Sequence, residues 1–180
     1  NFNRSFYKSI LRNYYTSAYF FSLIKRSDYY LFYKLDVERR KLLPEISDKE
    51  LEIFWKQNRE QMYNSLKWAF NKIKNTSNNN NIEVHILTQP HAYNKNYKVY
   101  NDDLRVTPII NNKQLTIAQA ERLMRDYNDL TILVANNLNI KSLDIAECFE
   151  NTNVSKLLYD SFHFTLKGSE FFSNCLNSKL

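Results

Sequence analysis

Ile82-Glu83-Val84-His85-Ile86-Leu87-Thr88-Gln89-Pro90 joins a β-branched run of strand length to a turn closed by a proline. A long helix leads into it. Ser47-Asp48-Lys49-Glu50 has the form of a capping box, with Ser47 as N-cap and Glu50 at N3. Leu51, Phe54, Trp55, Met62, Leu66, Ala69, Phe70 and Ile73 then follow as one apolar stripe. We expect this helix to stop where the polar residues 75–81 begin. After the strand, residues 91–115 show no period and read as a loop. Thr116 is placed to cap a second helix whose face carries Ala120, Leu123, Met124, Tyr127, Leu130, Val134 and Leu138. A short strand is expected over residues 142–146. Residues 147–159 read as a loop with some helix. A last helix follows Thr165, with Leu166, Phe171, Phe172 and Leu176 facing inward. Helix followed by strand, twice, is the unit of an α/β protein with a parallel sheet.

Composition narrows the function classes. A chain of 180 residues fits one domain with a sizeable core. We read residues 1–46 as a helical cover and residues 47–180 as the α/β core. A single glycine in the whole chain excludes a P-loop, a dinucleotide-binding fingerprint and a G-x-S-x-G nucleophile elbow, each of which needs at least two. So few glycines, and a start at Asn1, lead us to expect that a turn-rich segment precedes this chain. Cys148 and Cys175 lack C-x-x-C spacing, and His85 and His91 have no ligand partner at metal spacing. We therefore expect no metal and no cofactor, His85 as a plain strand residue, and two buried thiols, with a disulfide as the open alternative.

The net charge of +6 is concentrated at the start, where the first 75 residues hold 15 Lys and Arg against 8 Asp and Glu. No nucleic-acid motif accompanies the charge, so it reads as a solvated basic helical surface, not a nucleic-acid interface. Phe6, Ile10, Tyr14, Ala18, Phe20, Leu23 and Ile24 recur at helical spacing. That stripe is read as a cover for a neighbouring face, with membrane-surface docking as the alternative. No apolar run reaches the 18 or so residues that span a bilayer, and the compartment stays open between cytoplasm and cell envelope.

The chemistry is concentrated in Asp160-Ser161-Phe162-His163-Phe164-Thr165-Leu166-Lys167-Gly168. A turn with a carboxylate three residues before a histidine can bring an Asp oxygen to one imidazole nitrogen and leave the other as a general base. Topology puts Gln89 and the 160–163 turn at the same carboxyl edge of the sheet, where open α/β sheets place ligands. Gln89 is read either as lining a substrate pocket or as capping the strand end. His91 is a second pocket candidate. Asp144 is read as making a structural hydrogen bond at the strand end.

Residues 71–180 resemble the C-terminal half of the SGNH/GDSL hydrolases. The matching pieces are residues 82–90, Tyr127-Asn128-Asp129, Ser142-Leu143-Asp144-Ile145 and the closing Asp160-x-x-His163 with Thr165 and Gly168. The resemblance implies a three-layer α/β/α, flavodoxin-like fold, here incomplete at its N-terminus. It also implies a serine ester hydrolase acting on acyl esters of carbohydrates or lipids, with His163 as general base and Asp160 as its orienting partner. The family's Gly-Asp-Ser block and its Gly and Gly-x-Asn blocks, which carry the nucleophile and oxyanion donors, have no counterpart in these 180 residues. The chain alone is accordingly expected to be inactive. A non-catalytic binding domain with a basic aromatic helical surface is the rival reading.

Overall fold

The structure, a computed structural model, describes residues 42–93, 107–158 and 160–180. The expected helices over residues 2–35, and with them nearly all of the expected helical cover, lie outside the described residues. The rest is mixed helix and sheet with a small parallel sheet.

Helix α1 spans Asp48–Asn80 and begins at the expected capping box. Ser47 Oγ accepts from the Glu50 N–H, and the Glu50 carboxylate accepts from the Ser47 N–H. Glu50 also meets Lys113 Nζ at 2.6 Å. The Lys113 contact foremost, then the Ser47 backbone, lowers the Glu50 carboxyl to about 2. The helix runs past its expected end, because the polar side chains of its last turns bond backward into the helix. Thr76 Oγ1 donates to the Lys72 carbonyl at 3.0 Å, and Asn80 Nδ2 to the Thr76 carbonyl at 2.8 Å. Asn81 closes it in the left-handed region at φ 52°, a conformation asparagine tolerates better than most residues.

Strand β1 is His85–Leu87, shorter than its β-branched run. The stretch expected to be all loop holds a hairpin, β2 (Ile109–Ile110) and β3 (Lys113–Gln114). Asn111 and Asn112, at φ 50° and 59°, make its two-residue turn. Two-residue strands are too short to show a period, so the pattern gave no sign of them. Helix α2, Ile117–Asn137, starts at Thr116 through a second capping box with Gln119. Strand β4, Lys141–Leu143, lies parallel to β1 with Ile86 opposite Ser142 and Leu87 opposite Leu143. Helix α3 (Ala146–Glu150), a 3₁₀ turn (Val154–Lys156) and helix α4 (Leu166–Lys179, capped by Thr165) complete the chain.

Alternation along β1 sends neighbouring side chains to opposite faces. Ile86 joins Phe70 of α1 and Val134 and Ala135 of α2 in one core cluster. Leu87 and Leu143 join a second, formed by Ala92, Ile145, Phe149, Val154 and Leu158 with Phe171 and Phe172 of α4. A third cluster, with Ile46, Leu51, Tyr93, Leu115 and Ala120, ties α1, the hairpin and α2 together. The expected face of α2 is buried as read: Ala120, Leu130 and Val134 are fully covered. Leu166 departs from its expected inward face and is 88% exposed. It is the first residue after the Thr165 cap, at the rim of the packed face.

Cys148 and Cys175 form a disulfide with Cα atoms 6.4 Å apart, which corrects the expectation of two thiols. The cause is packing. Phe149 of α3 and Phe171 of α4 meet edge to face with centroids 4.9 Å apart, and the neighbouring cysteines follow. The bridge spans a sequence separation of 27; loop entropy for that length corresponds to about 3.5 kcal/mol of stabilisation. Replacing both cysteines by alanine is expected to lower urea-unfolding stability by about that amount, and an unchanged midpoint would show that the bridge does not restrain the unfolded chain.

Candidate active site

The turn after the 3₁₀ segment is held by one carboxylate. Asp160 Oδ1 accepts from the Phe162 and His163 N–H groups, each at 2.8 Å. Asp160 Oδ2 meets His163 Nδ1 at 2.7 Å. Both oxygens are therefore engaged, and the contact at Nδ1 fixes the tautomer that places the basic lone pair on Nε2. Burial pushes the Asp160 carboxyl up, but the two backbone N–H groups and the imidazole outweigh it and hold it below its ordinary value. The imidazole side chain is 68% exposed while its carboxylate partner is 22% exposed. The dyad therefore presents its histidine outward from an anchored acid, the disposition of a general base and its orienter.

Three attachments fix the turn to the fold. The buried Ser161 carbonyl accepts from the Ala92 N–H at 3.0 Å, joining the turn to the chain that leaves β1. An antiparallel bridge between Leu158 and Phe164 closes the base of the loop. Beneath it, Thr165 Oγ1 donates to the Lys156 carbonyl at 2.8 Å and accepts from the Gly168 N–H at 3.1 Å. The chain's single glycine is required here, because a Cβ at position 168 would stand 1.8 Å from the Leu157 carbonyl oxygen.

Gln89 follows β1 as expected, and its side chain takes the strand-end role: Nε2 donates to the Pro90 carbonyl at 2.9 Å. Its backbone is clamped by Asn128 of α2, which accepts from the Gln89 N–H at 2.9 Å and donates to the Gln89 carbonyl at 3.1 Å. Asp144 bonds as expected at the end of β4, accepting from Thr88 Oγ1 at 2.7 Å and from the Glu147 N–H at 3.3 Å. His85 sits in β1 as read, beside Glu83 at 3.3 Å.

His91 is half-buried and lines a cleft of about 150 Å³ with Glu121, Arg125, Asp129, Asp144 and Glu150. Burial first, then the Arg125 guanidinium, depresses the His91 imidazole to about 4, so it is neutral at pH 7. Its Nδ1 is buried without a hydrogen-bond partner. The His91 and Tyr93 rings stack at 5.7 Å, and Tyr93 meets Phe162 edge-on at 5.9 Å. Two ring contacts thus connect the cleft to the residue beside His163. Among the described residues, no cluster of three or more His, Cys, Asp or Glu side chains is disposed to hold a metal, and no helix is long and apolar enough to cross a membrane.

Sequence reading had assigned no part to Glu121, Arg125 or Glu150, and had used Asn128 only as part of a motif. The available signal was Asn128 itself, a polar residue buried on α2 beside Leu130 and Thr131.

Two outcomes test the turn. Because the Asp160 carboxyl is held below its ordinary value, its stabilising effect is present above about pH 4 and lost as pH falls through its folded value. Asp160→Ala should lower stability near neutral pH by about 1–2 kcal/mol and remove that part of the acid dependence, read by urea unfolding across pH 2–6. Gly168→Ala should cost roughly 1–3 kcal/mol and move the His163 backbone amide resonance; an unmoved resonance would mean that the contact with Leu157 does not place the dyad.

Compared with known proteins, the chain matches no family model, no curated protein and no solved structure.

Proposed function

We propose that this chain is the acid–base portion of a serine ester hydrolase of the SGNH/GDSL type, acting on acyl esters of a glycan or lipid. The carrying observation is the dyad: His163 Nδ1 lies 2.7 Å from Asp160 Oδ2, on a carboxylate whose other oxygen is saturated by two backbone N–H groups. The position of the turn beside the chain leaving β1 supports the same reading, since that is the ligand edge of a parallel sheet. Two parallel strands with apolar clusters on both faces are also too few for an independent parallel sheet. In this proposal β1 and β4 belong to a larger three-layer α/β/α sheet of flavodoxin-like order.

The nucleophilic serine and the oxyanion donors would come from outside these 180 residues. His163 Nε2 takes the serine proton as the hydroxyl attacks the ester carbonyl. Asp160 stabilises the imidazolium that forms, and His163 returns the proton to the departing alcohol. Water repeats the cycle on the acyl-enzyme. No metal or cofactor enters these steps.

The test is hydrolysis of 4-nitrophenyl acetate and butyrate by the gene's full product, beside the 180-residue chain alone. Turnover is expected only from the full product, and His163→Ala should lower its kcat about 10²–10⁴-fold. Undiminished turnover in that variant would remove His163 as the base. Absence of turnover from the full product would return the chain to the binding-domain reading, which the 67% exposed Trp68 of α1 favours.

A further inference from the structure

The sequence leaves the compartment open, and the bridge between α3 and α4 bears on it. Cys148 and Cys175 are the chain's two cysteines, and the disulfide uses both. Cys175 is 7% exposed and belongs to the core cluster of Ile145, Phe149, Val154 and Leu158, against which Cys148 packs half-buried. Other contacts bring the two sulfurs together. Phe149, next to Cys148, meets Phe171, one turn before Cys175, edge to face. Lys179, one turn beyond Cys175, meets the carboxylate of Glu147, which directly precedes Cys148, at 2.7 Å. An aromatic contact and an ion pair thus flank the bridge, and each joins α3 to α4.

We propose that Cys148 and Cys175 are oxidised as the chain folds, by a disulfide-bonded thiol oxidant, and that the protein resides outside a reducing compartment. The inference stands on the bridge and is independent of the hydrolase reading. Structural disulfides form and persist in secreted, periplasmic and lumenal proteins, whereas cytosolic thiol buffers keep cysteines reduced. Disulfides of cytosolic proteins are mostly transient, serving catalysis or redox sensing, and those roles need an accessible sulfur with a resolving cysteine close by. This pair has neither feature, since one sulfur is in the core and the two cysteines are 27 positions apart. Its work is structural. Helix α3 has five residues and no side-chain bond at its N-cap, well short of the roughly 12–15 residues at which an isolated helix is even marginal in water. It nevertheless holds Phe149 fully buried, so its place depends on what fastens it to α4.

The oxidation balances as thiol–disulfide exchange. The thiolate of Cys148, the less buried of the two, attacks one sulfur of the oxidant. The oxidant's S–S bond breaks, a mixed disulfide forms and one oxidant thiolate leaves. The Cys175 thiolate then attacks the Cys148 sulfur, the mixed bond breaks and the second oxidant thiolate leaves. The chain gives up two electrons and two protons, and the oxidant takes both and ends as two thiols.

The experiment takes the gene's full product from its own cells under an acid quench that stops exchange. Free thiols are blocked with N-ethylmaleimide, the protein is reduced, and the newly freed thiols are labelled with iodoacetamide. Mass spectrometry then reads the peptides that contain Cys148 and Cys175. Both cysteines are expected to carry the second label in nearly all molecules, and the product is expected to fractionate with secreted, periplasmic or lumenal markers. Cysteines carrying mainly N-ethylmaleimide would overturn the proposal. So would oxidised cysteines in a product that fractionates with cytosolic markers. In Cys175→Ala the exchange should stop at the mixed disulfide on Cys148, seen as a mass gain that dithiothreitol removes. A gain of a protein's mass identifies a protein oxidant, and a gain the size of glutathione identifies a small one. A free Cys148 thiol in that variant, with the parent protein oxidised, would overturn the exchange step and its partner. Labelling of the parent protein decides the compartment whether or not the variant accumulates.

Discussion

The candidate site depends on the register of two three-residue strands. Pairing Leu87 with Leu143 sends both leucines into the cluster beneath α3 and α4, while Ile86 packs on α1 and α2. A slip of one residue would exchange these faces and expose what is now buried, so the two clusters enforce the pairing that a short ladder of backbone bonds would leave loosely set. The same register brings Thr88 within 2.7 Å of Asp144 and carries the chain from β1 past residue 161. The dyad turn then takes its place through the Ala92–Ser161 bond. The geometry of the dyad is inherited from apolar packing.

Around that turn, backbone order and side-chain exposure are separated. The Leu157 carbonyl accepts from the Thr165 N–H at 2.9 Å and lies against the bare Cα of Gly168. Ser161 and Leu158 are buried on either side of it. Only the tips, Phe162 and His163, reach outward. The imidazole keeps little orientational freedom there, since its ring position is set by Asp160. The disulfide encloses the same segment, with Cys148 on one side of the turn and Cys175 on the other, so its restraint acts on the unfolded form of the stretch that must be ordered.

Local chemistry was the legible part of the sequence. The caps at Ser47, Thr116 and Thr165 were each readable, because a hydroxyl before an apolar-periodic run bonds to a backbone N–H three residues on and needs no tertiary contact. The Asp160–His163 contact was readable for the same reason, being contained within one turn. What failed was whatever distance along the chain conceals. Residues 75–80 looked like a loop because asparagine and serine favour turns, yet their side chains bonded back into the helix they lengthened. The bridge between residues 148 and 175 required knowing that two phenylalanine rings meet. The cleft required knowing that α2 passes over the ends of β1 and β4 with Arg125 and Asp129 turned to one side. No periodicity contains that information.

The two histidines near the carboxyl edge have opposite environments. His91 is half-buried beside a guanidinium that disfavours a second positive charge, so it stays uncharged through the physiological range. His163 is largely exposed, and its Nδ1 lies 2.7 Å from the Asp160 carboxylate. Tyr93 is fully buried and in ring contact with both His91 and Phe162. The carboxyl edge of the sheet thus carries one imidazole that burial keeps neutral and one whose orientation a carboxylate sets.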